Sequence, residues 1–128
     1  MLMRLTNQEM LNSIGGISKL LNEELPIGAS FALSKNVRNI ENALEPFESE
    51  RRRLIERYSI KDENNEIVRE GNSVRIAEEH VETWTNSIKE LKMIEQDIEI
   101  SEIKLSDISD VKISVAELRS IEFMIVQE

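Results

Sequence analysis

The densest positive charge in the chain is the run Arg51-Arg52-Arg53, and it is the only basic cluster in the sequence. Guanidinium groups bind phosphates and other anions through paired N–H donors, so Arg51, Arg52 and Arg53 are a candidate anion site. The alternative is a solvated helix face, because glutamates flank the run, no aromatic residue is interleaved and no second basic run exists. The lack of interleaved aromatic residues and of a second basic run also argues against direct binding of nucleic acid.

Other residue types that carry chemistry are sparse. The chain has no cysteine, and its only histidine, His80, lacks a serine in any nucleophile-elbow motif. Neighbouring glutamates at Glu78, Glu79 and Glu82 do not converge with His80 on one ion at this spacing. No glycine-rich phosphate loop, calcium loop or zinc-protease helix is present. We therefore predict no enzyme activity, no catalytic residues, no metal site and no cofactor.

Negative charge is concentrated in the second half of the chain. Residues 1–58 carry 8 basic and 8 acidic side chains, whereas residues 59–128 carry 8 basic and 17 acidic ones. Such a surface repels nucleic acid and anionic membranes and favours a basic or nucleic-acid-binding protein partner. Solubility alone is the alternative explanation.

Polar and apolar residues alternate over 97–105, which predicts a strand with a bulge at Ser101-Glu102. If this is an edge strand, its free backbone groups and carboxylates form a docking edge for a partner. The predicted partner-binding residues are Glu95, Asp97, Glu99, Glu102, Asp107 and Asp110.

Two apolar seams indicate the helices that position the arginine run and the carboxylates. The first has heptad spacing, is apolar except at Arg51, and comprises Leu33, Val37, Ile40, Leu44, Phe47, Arg51, Leu54 and Tyr58. The second comprises Ala77, Val81, Trp84, Ile88 and Leu91. The seams predict a mainly α protein built on an antiparallel, coiled-coil-like helical hairpin. Helix 2 should span 27–58 with a kink near Pro46, or a break at Glu45, and helix 3 should span 76–94.

The remaining segments predict a small head of two further helices with one or two short strands, all within one domain over 1–128. Helix 1 should span 6–22, since Thr6 and Glu9 match a capping box, and helix 4 should span 114–126 after the same motif at Ser114. Gly15-Gly16 predicts close approach of another helix, with a bend as the alternative. Residues 59–76 should form the hairpin tip, with 66–69 pairing with 73–76.

Several stretches resemble a family of small proteins of unknown function from phages and prophages of Gram-positive bacteria. They are Glu24-Leu25-Pro26, the segment 31–36, the segment 45–58, the acidic turn 61–64 and the ending 114–125. The resemblance implies viral origin, action in the bacterial cytoplasm or in virion assembly, and helical structure. It supplies no catalytic residues.

These observations favour a non-enzymatic phage accessory protein that binds a host protein and inhibits or modifies it through the acidic second half. One alternative is a virion-assembly or chaperone-like coiled-coil protein that forms a homo-oligomer, as a dimer, because the seam on helix 2 is longer than helix 3 can cover. A second is a sponge for a nucleotide signal, using Arg51 to Arg53. No stretch approaches the ~20 apolar residues of a membrane span, and no export signal follows Met1, so we expect the bacterial host cytoplasm.

Overall fold

The computed structural model describes residues 1–127. Contacts group the chain into two compact units, one of Met1–Leu44 with the residues from Glu95 onward, and one of Glu45–Ile94. The long helix α2, Ile27–Tyr58, passes from the first unit into the second. Its bounds are those predicted from the sequence, and the helix continues through Pro46. The prediction of a mainly helical chain is thus confirmed.

Unit 1 contains the first part of α2 and most of the remaining elements. These are β1 (Leu2–Thr6), α1 (Asn7–Leu21), β4 (Glu95–Glu99), β5 (Ile103–Lys104), a 3-10 turn (Leu105–Ile108), α4 (Val115–Ser120), a second 3-10 turn (Glu122–Met124) and β6 (Ile125–Val126). Strand β1 pairs antiparallel with β4, and β5 pairs parallel with β6. The core is made of aliphatic and methionine side chains, including Leu5, Met10, Ile17, Leu20, Leu33, Ile40, Ile98, Ile100, Ile103, Ile121 and Met124.

Helix α1 is bounded as its sequence predicts. The Thr6 hydroxyl accepts from the Glu9 backbone N–H, and the Glu9 carboxylate accepts from the Thr6 N–H, which completes the capping box. Halfway along, Gly16 passes against α4: a Cβ built there would lie 2.5 Å from the Glu117 carbonyl oxygen. Gly15 has open space at the same point. The predicted close packing is confirmed, and Gly16 alone is the contact residue.

A buried asparagine joins α2 to the chain that leaves β4. The Asn36 side chain is fully buried, and its amide bonds the Ser101 peptide in both directions. The Ser101 N–H donates to Asn36 Oδ1 at 2.7 Å, and Asn36 Nδ2 donates to the Ser101 carbonyl at 2.8 Å. The backbone N–H and C=O of Ser101 therefore both bond a helix side chain and not a neighbouring strand.

Two predicted elements of unit 1 differ from those observed, and one observed strand was not predicted. The predicted strand over 97–105 is two strands in different sheets, since β4 pairs with β1 and β5 pairs with β6. The chain between them is held by Asn36, which bonds Ser101. The predicted helix over 114–126 ends at Ser120, after which the chain turns to pair β6 with β5. Strand β1 was not predicted, since its identity as a strand depends on pairing with the distant β4.

Unit 2 consists of the rest of α2, a small hairpin and a short helix. The hairpin strands are β2 (Arg69–Glu70) and β3 (Ser73–Val74), and α3 (Val81–Lys92) follows a 3-10 turn at Glu78–His80. Of the predicted pairing of 66–69 with 73–76, only the pair Arg69–Val74 is observed. Ile67 instead bridges Lys61, and Ile76 bridges Ser59. The turn uses Gly71 at φ 64°, a conformation that favours glycine. The helix predicted over 76–94 is observed only over Val81–Lys92, and none of its residues is fully buried.

The close approach at Gly16 makes a paired prediction. Gly16→Ala should lower the free energy of unfolding by about 1–3 kcal/mol, because the added methyl group must displace the α4 backbone. Gly15→Ala should raise it by about 0.5–1 kcal/mol, since alanine is the better helix former and meets nothing. Urea denaturation of both variants checks this. Equal effects of the two substitutions would contradict the assigned packing.

The second capping box makes a pH prediction. The Ser114 backbone N–H donates to Glu117 Oε1 at 3.0 Å and holds the pKa of Glu117 below its ordinary value of 4.5. A lowered folded-state pKa contributes stability above pH 4.5 that is lost as pH falls through the folded value. Glu117→Gln keeps an acceptor but does not titrate, so its unfolding free energy should depend less on pH in that acid range. Urea titrations across the acid range measure it, and identical pH profiles for the two proteins would refute it.

Candidate functional site

Three of the predicted partner-binding carboxylates lie together on one exposed sheet face. Glu95, Asp97 and Glu99 alternate along β4 with inward-facing Gln96 and Ile98, and all three are exposed. We call these three residues the acidic face. The other three predicted residues, Glu102, Asp107 and Asp110, lie beyond β4, in the loop before β5 and in and after the 3-10 turn that follows it.

Positive groups of β1 partly neutralise the acidic face. The Arg4 guanidinium donates to Glu95, and Arg4 Nη1 lies 3.7 Å from Asp97 Oδ1. The hydrogen bond to Glu95 raises the pKa of Arg4 above its usual value. The Met1 ammonium group lies 2.5 Å from Glu99 Oε1. Two cationic groups thus face three carboxylates, which leaves an excess of one negative charge.

The backbone pattern shows which edge of this sheet is open. Met1 and Ile100 exchange hydrogen bonds in both directions, so the hydrogen-bonded pairs on β1 are the alternate residues from Met1. The N–H and C=O groups of Leu2 and Arg4 consequently point away from β4. Within residues 1–127, these outward-pointing groups have no hydrogen-bond partner.

The far edge of β4, where the docking edge was predicted, is partly occupied. Asn39 Nδ2 donates to the Glu99 carbonyl at 3.0 Å, and Asn36 takes both groups of Ser101. Side chains of α2 therefore cover the C-terminal part of this edge. The predicted segment is an edge strand, since β4 is one of only two strands in its sheet over the described residues, but α2 covers the C-terminal part of that edge. The other edge of the sheet belongs to β1, and the carboxylates lie beside it on the neighbouring strand.

Sequence analysis missed Leu2 and Arg4 as functional candidates. The available signal was the alternation of Met3 and Leu5 with Arg4 and Thr6 at the start of the chain. That alternation is too short to predict a strand without the partner strand β4.

Unit 2 contains a cleft of about 630 Å³ that brings together two of the three predicted anion-binding residues. We call it the arginine–tryptophan cleft. Its lining residues are Arg51, Arg52, Ile55 and Glu56 from α2, Ile67, Arg69, Asn72, Ser73 and Val74 from the hairpin segment, and Trp84 from α3. Arg53 is not among them and pairs with Glu50 at 3.1 Å.

The single histidine takes part in local contacts. The His80 ring centroid lies 5.2 Å from that of Tyr58, and its Nε2 lies 3.6 Å from Glu79. Across residues 1–127, no group of three acidic, histidine or cysteine side chains is arranged to hold a metal ion. No helix within the same range is long and apolar enough to cross a membrane.

Comparisons with protein-family models, with curated proteins and with solved structures return no match to this chain.

Proposed function

We propose that this protein is a non-enzymatic binding protein that takes an extended basic segment of another protein onto the open edge of β1. The observation that supports this most is the pair of outward-facing backbone positions, Leu2 and Arg4, beside the acidic face. Main-chain hydrogen bonds to such an edge supply affinity, and side-chain contacts along it supply specificity.

Charge selects the class of partner. The acidic face retains one negative charge after its ion pairs with Arg4 and the Met1 ammonium, and Glu102 and Asp110 are exposed nearby in sequence. A lysine- or arginine-rich strand added to β1 would place cations beside these carboxylates. Its ion pairs would be exposed, so they would contribute to association rate and specificity and would weaken with salt.

The biological setting remains part of the proposal. The resemblance to phage and prophage proteins supports a viral accessory protein that inhibits or modifies a host protein in the bacterial cytoplasm. Occupying a basic nucleic-acid-binding surface is one way in which an acidic edge can block a host protein.

A second candidate is a virion-assembly protein that self-associates through helices. Ile27 and Phe31 lie one turn apart on α2 and are 87% and 67% exposed. An aromatic anchor beside an aliphatic one is typical of protein contacts.

We also propose that α3 and the second half of α2 form the predicted antiparallel hairpin, which the cleft shared by Ile55 and Trp84 supports.

Blocking the open edge should abolish strand addition while preserving the sheet. Leu2→Pro removes an N–H that points away from β4, so the β1–β4 ladder should survive. A fluorescent eight-residue peptide that alternates lysine and valine should bind the parent protein with a salt-dependent Kd. The variant should weaken binding by about tenfold or more, because it removes a backbone donor and obstructs the edge.

Leu2→Thr is the matched control, since it changes the same side chain and keeps the N–H, and its Kd should stay near the parent value. A peptide that alternates glutamate and valine should not bind. The proposed mode fails if Leu2→Pro binds the lysine peptide as tightly as Leu2→Thr does. Light scattering on Phe31→Ser tests the second candidate, which requires an oligomer that this variant dissociates.

A further inference from the structure

We propose that the arginine–tryptophan cleft of unit 2 binds a nucleotide, that is, a small phosphate-bearing ligand with a planar aromatic base. This site is separate from the β1 edge and does not depend on it. Every lining residue belongs to Glu45–Ile94, so one unit supplies the whole cleft. Its volume of about 630 Å³ lies within the range of small-molecule sites.

Arginines supply the phosphate contacts. Arg52 and Arg69 line the cleft from α2 and from β2, and within residues 1–127 neither has a carboxylate within 4.0 Å. Arg51 also lines it but lies 3.6 Å from Glu48. Guanidinium groups without an internal partner are free to donate two parallel N–H bonds to one phosphate. The cleft therefore contains two available cations and a third that is weakly paired.

Phosphate alone does not account for the rest of the lining. Trp84, the only tryptophan in the chain, lines the same cleft with Ile55, Ile67 and Val74. Aromatic and aliphatic side chains of this kind pack against the faces of nucleobases. Trp84 is half-buried, so part of its surface remains available to a ligand.

Polar side chains that suit a sugar and a base edge also line the cleft. Asn72 comes from the hairpin turn, where Gly71 has a positive φ, and Ser73 begins β3. Glu56 adds a carboxylate that can accept from a ribose hydroxyl or an exocyclic amino group. One carboxylate among three arginines still leaves the cleft positive.

A small ligand fits these observations better than a nucleic acid strand. Unit 2 carries nine lysines and arginines against twelve acidic residues over 45–94, so its net charge is negative outside the cleft. Strand binding requires a basic groove that follows the backbone over several nucleotides. Positive charge confined to one cleft is sufficient for one or two phosphates.

Trp84 allows a direct test, because its fluorescence reports occupancy of the cleft without a label. ADP titrated into the full chain at low salt should give a saturable change in this signal. Arg69→Gln should raise the Kd for ADP about tenfold or more, since charge-assisted hydrogen bonds to the phosphate are lost. Arg53→Gln removes the same charge from a residue outside the cleft, and its Kd should stay within about twofold of the parent value.

Three further probes separate the parts of the proposal. Inorganic phosphate and adenosine should each bind more weakly than ADP, because phosphate lacks the base that would contact Trp84 and adenosine lacks the phosphates that would contact the arginines. Trp84→Leu, followed by calorimetry, should weaken ADP more than phosphate, and if this variant does not fold, the comparison of Arg69 with Arg53 decides alone.

The proposal is overturned if ADP produces no saturable signal up to about 1 mM, a limit of roughly 4 kcal/mol in binding free energy. Equal effects of Arg69→Gln and Arg53→Gln also overturn it. Phosphate binding as tight as ADP would reduce the cleft to a simple anion site, and tighter binding of a thymidine oligonucleotide would replace the small ligand by nucleic acid. None of these outcomes bears on the β1 edge.

Discussion

The hydrogen-bonded pair between the Asn36 side chain and the Ser101 peptide is the constraint on which unit 1 depends. It sets the side-chain amide of Asn36, a residue within α2, against the backbone segment that follows β4. The N–H and C=O of Ser101 are part-buried, and without Asn36 both would lose their partners at a cost in free energy. This contact therefore holds α2 beside the segment that follows β4. Asn36 Nδ2 also lies 3.7 Å from the sulfur of buried Met124, which ties the same amide to the end of the chain.

Other polar residues extend this arrangement along the helix and the strand. Gln96 Nε2 donates to the Ala43 carbonyl at 2.9 Å and to Asn7 Oδ1 at 2.7 Å, so β4 is tied to both α2 and α1. Helix side chains take the positions that a third strand would otherwise occupy at Glu99 and Ser101. The outer edge of β1 has no such cover, and that difference between the two edges underlies the proposed strand addition.

Local signals predicted local structure well. The sequence predicted α2 at its observed bounds, and the two capping boxes predicted where α1 and α4 begin. The glycine pair predicted a close helix contact, although only the structure distinguishes Gly16 from Gly15. These features succeed because spacing and capping act within a few residues.

Elements that depend on distant partners were missed or misplaced. Strand β1 exists because β4 pairs with it, and α4 ends early because β6 pairs with β5. Asn36 adjoins the apolar seam, but asparagine is a polar residue type that is mostly exposed. It is buried here because its side chain bonds Ser101, which the sequence alone does not reveal. The arginine run pointed to the cleft, but Arg69 and Trp84 come from separate elements that only the fold brings to it.

Stability and amide exchange of an Asn36→Ala variant, compared with Asn39→Ala, test the central claim most directly. Loss of Asn36 should lower the free energy of unfolding by about 2–4 kcal/mol, because the part-buried N–H and C=O of Ser101 both lose the fully buried side chain that bonds them. Loss of Asn39, which bonds one exposed carbonyl, should cost about 1 kcal/mol or less. The Ser101 amide should exchange faster in Asn36→Ala relative to the Ile98 amide in the same protein. Unchanged protection of Ser101, or equal costs for the two substitutions, would contradict this account.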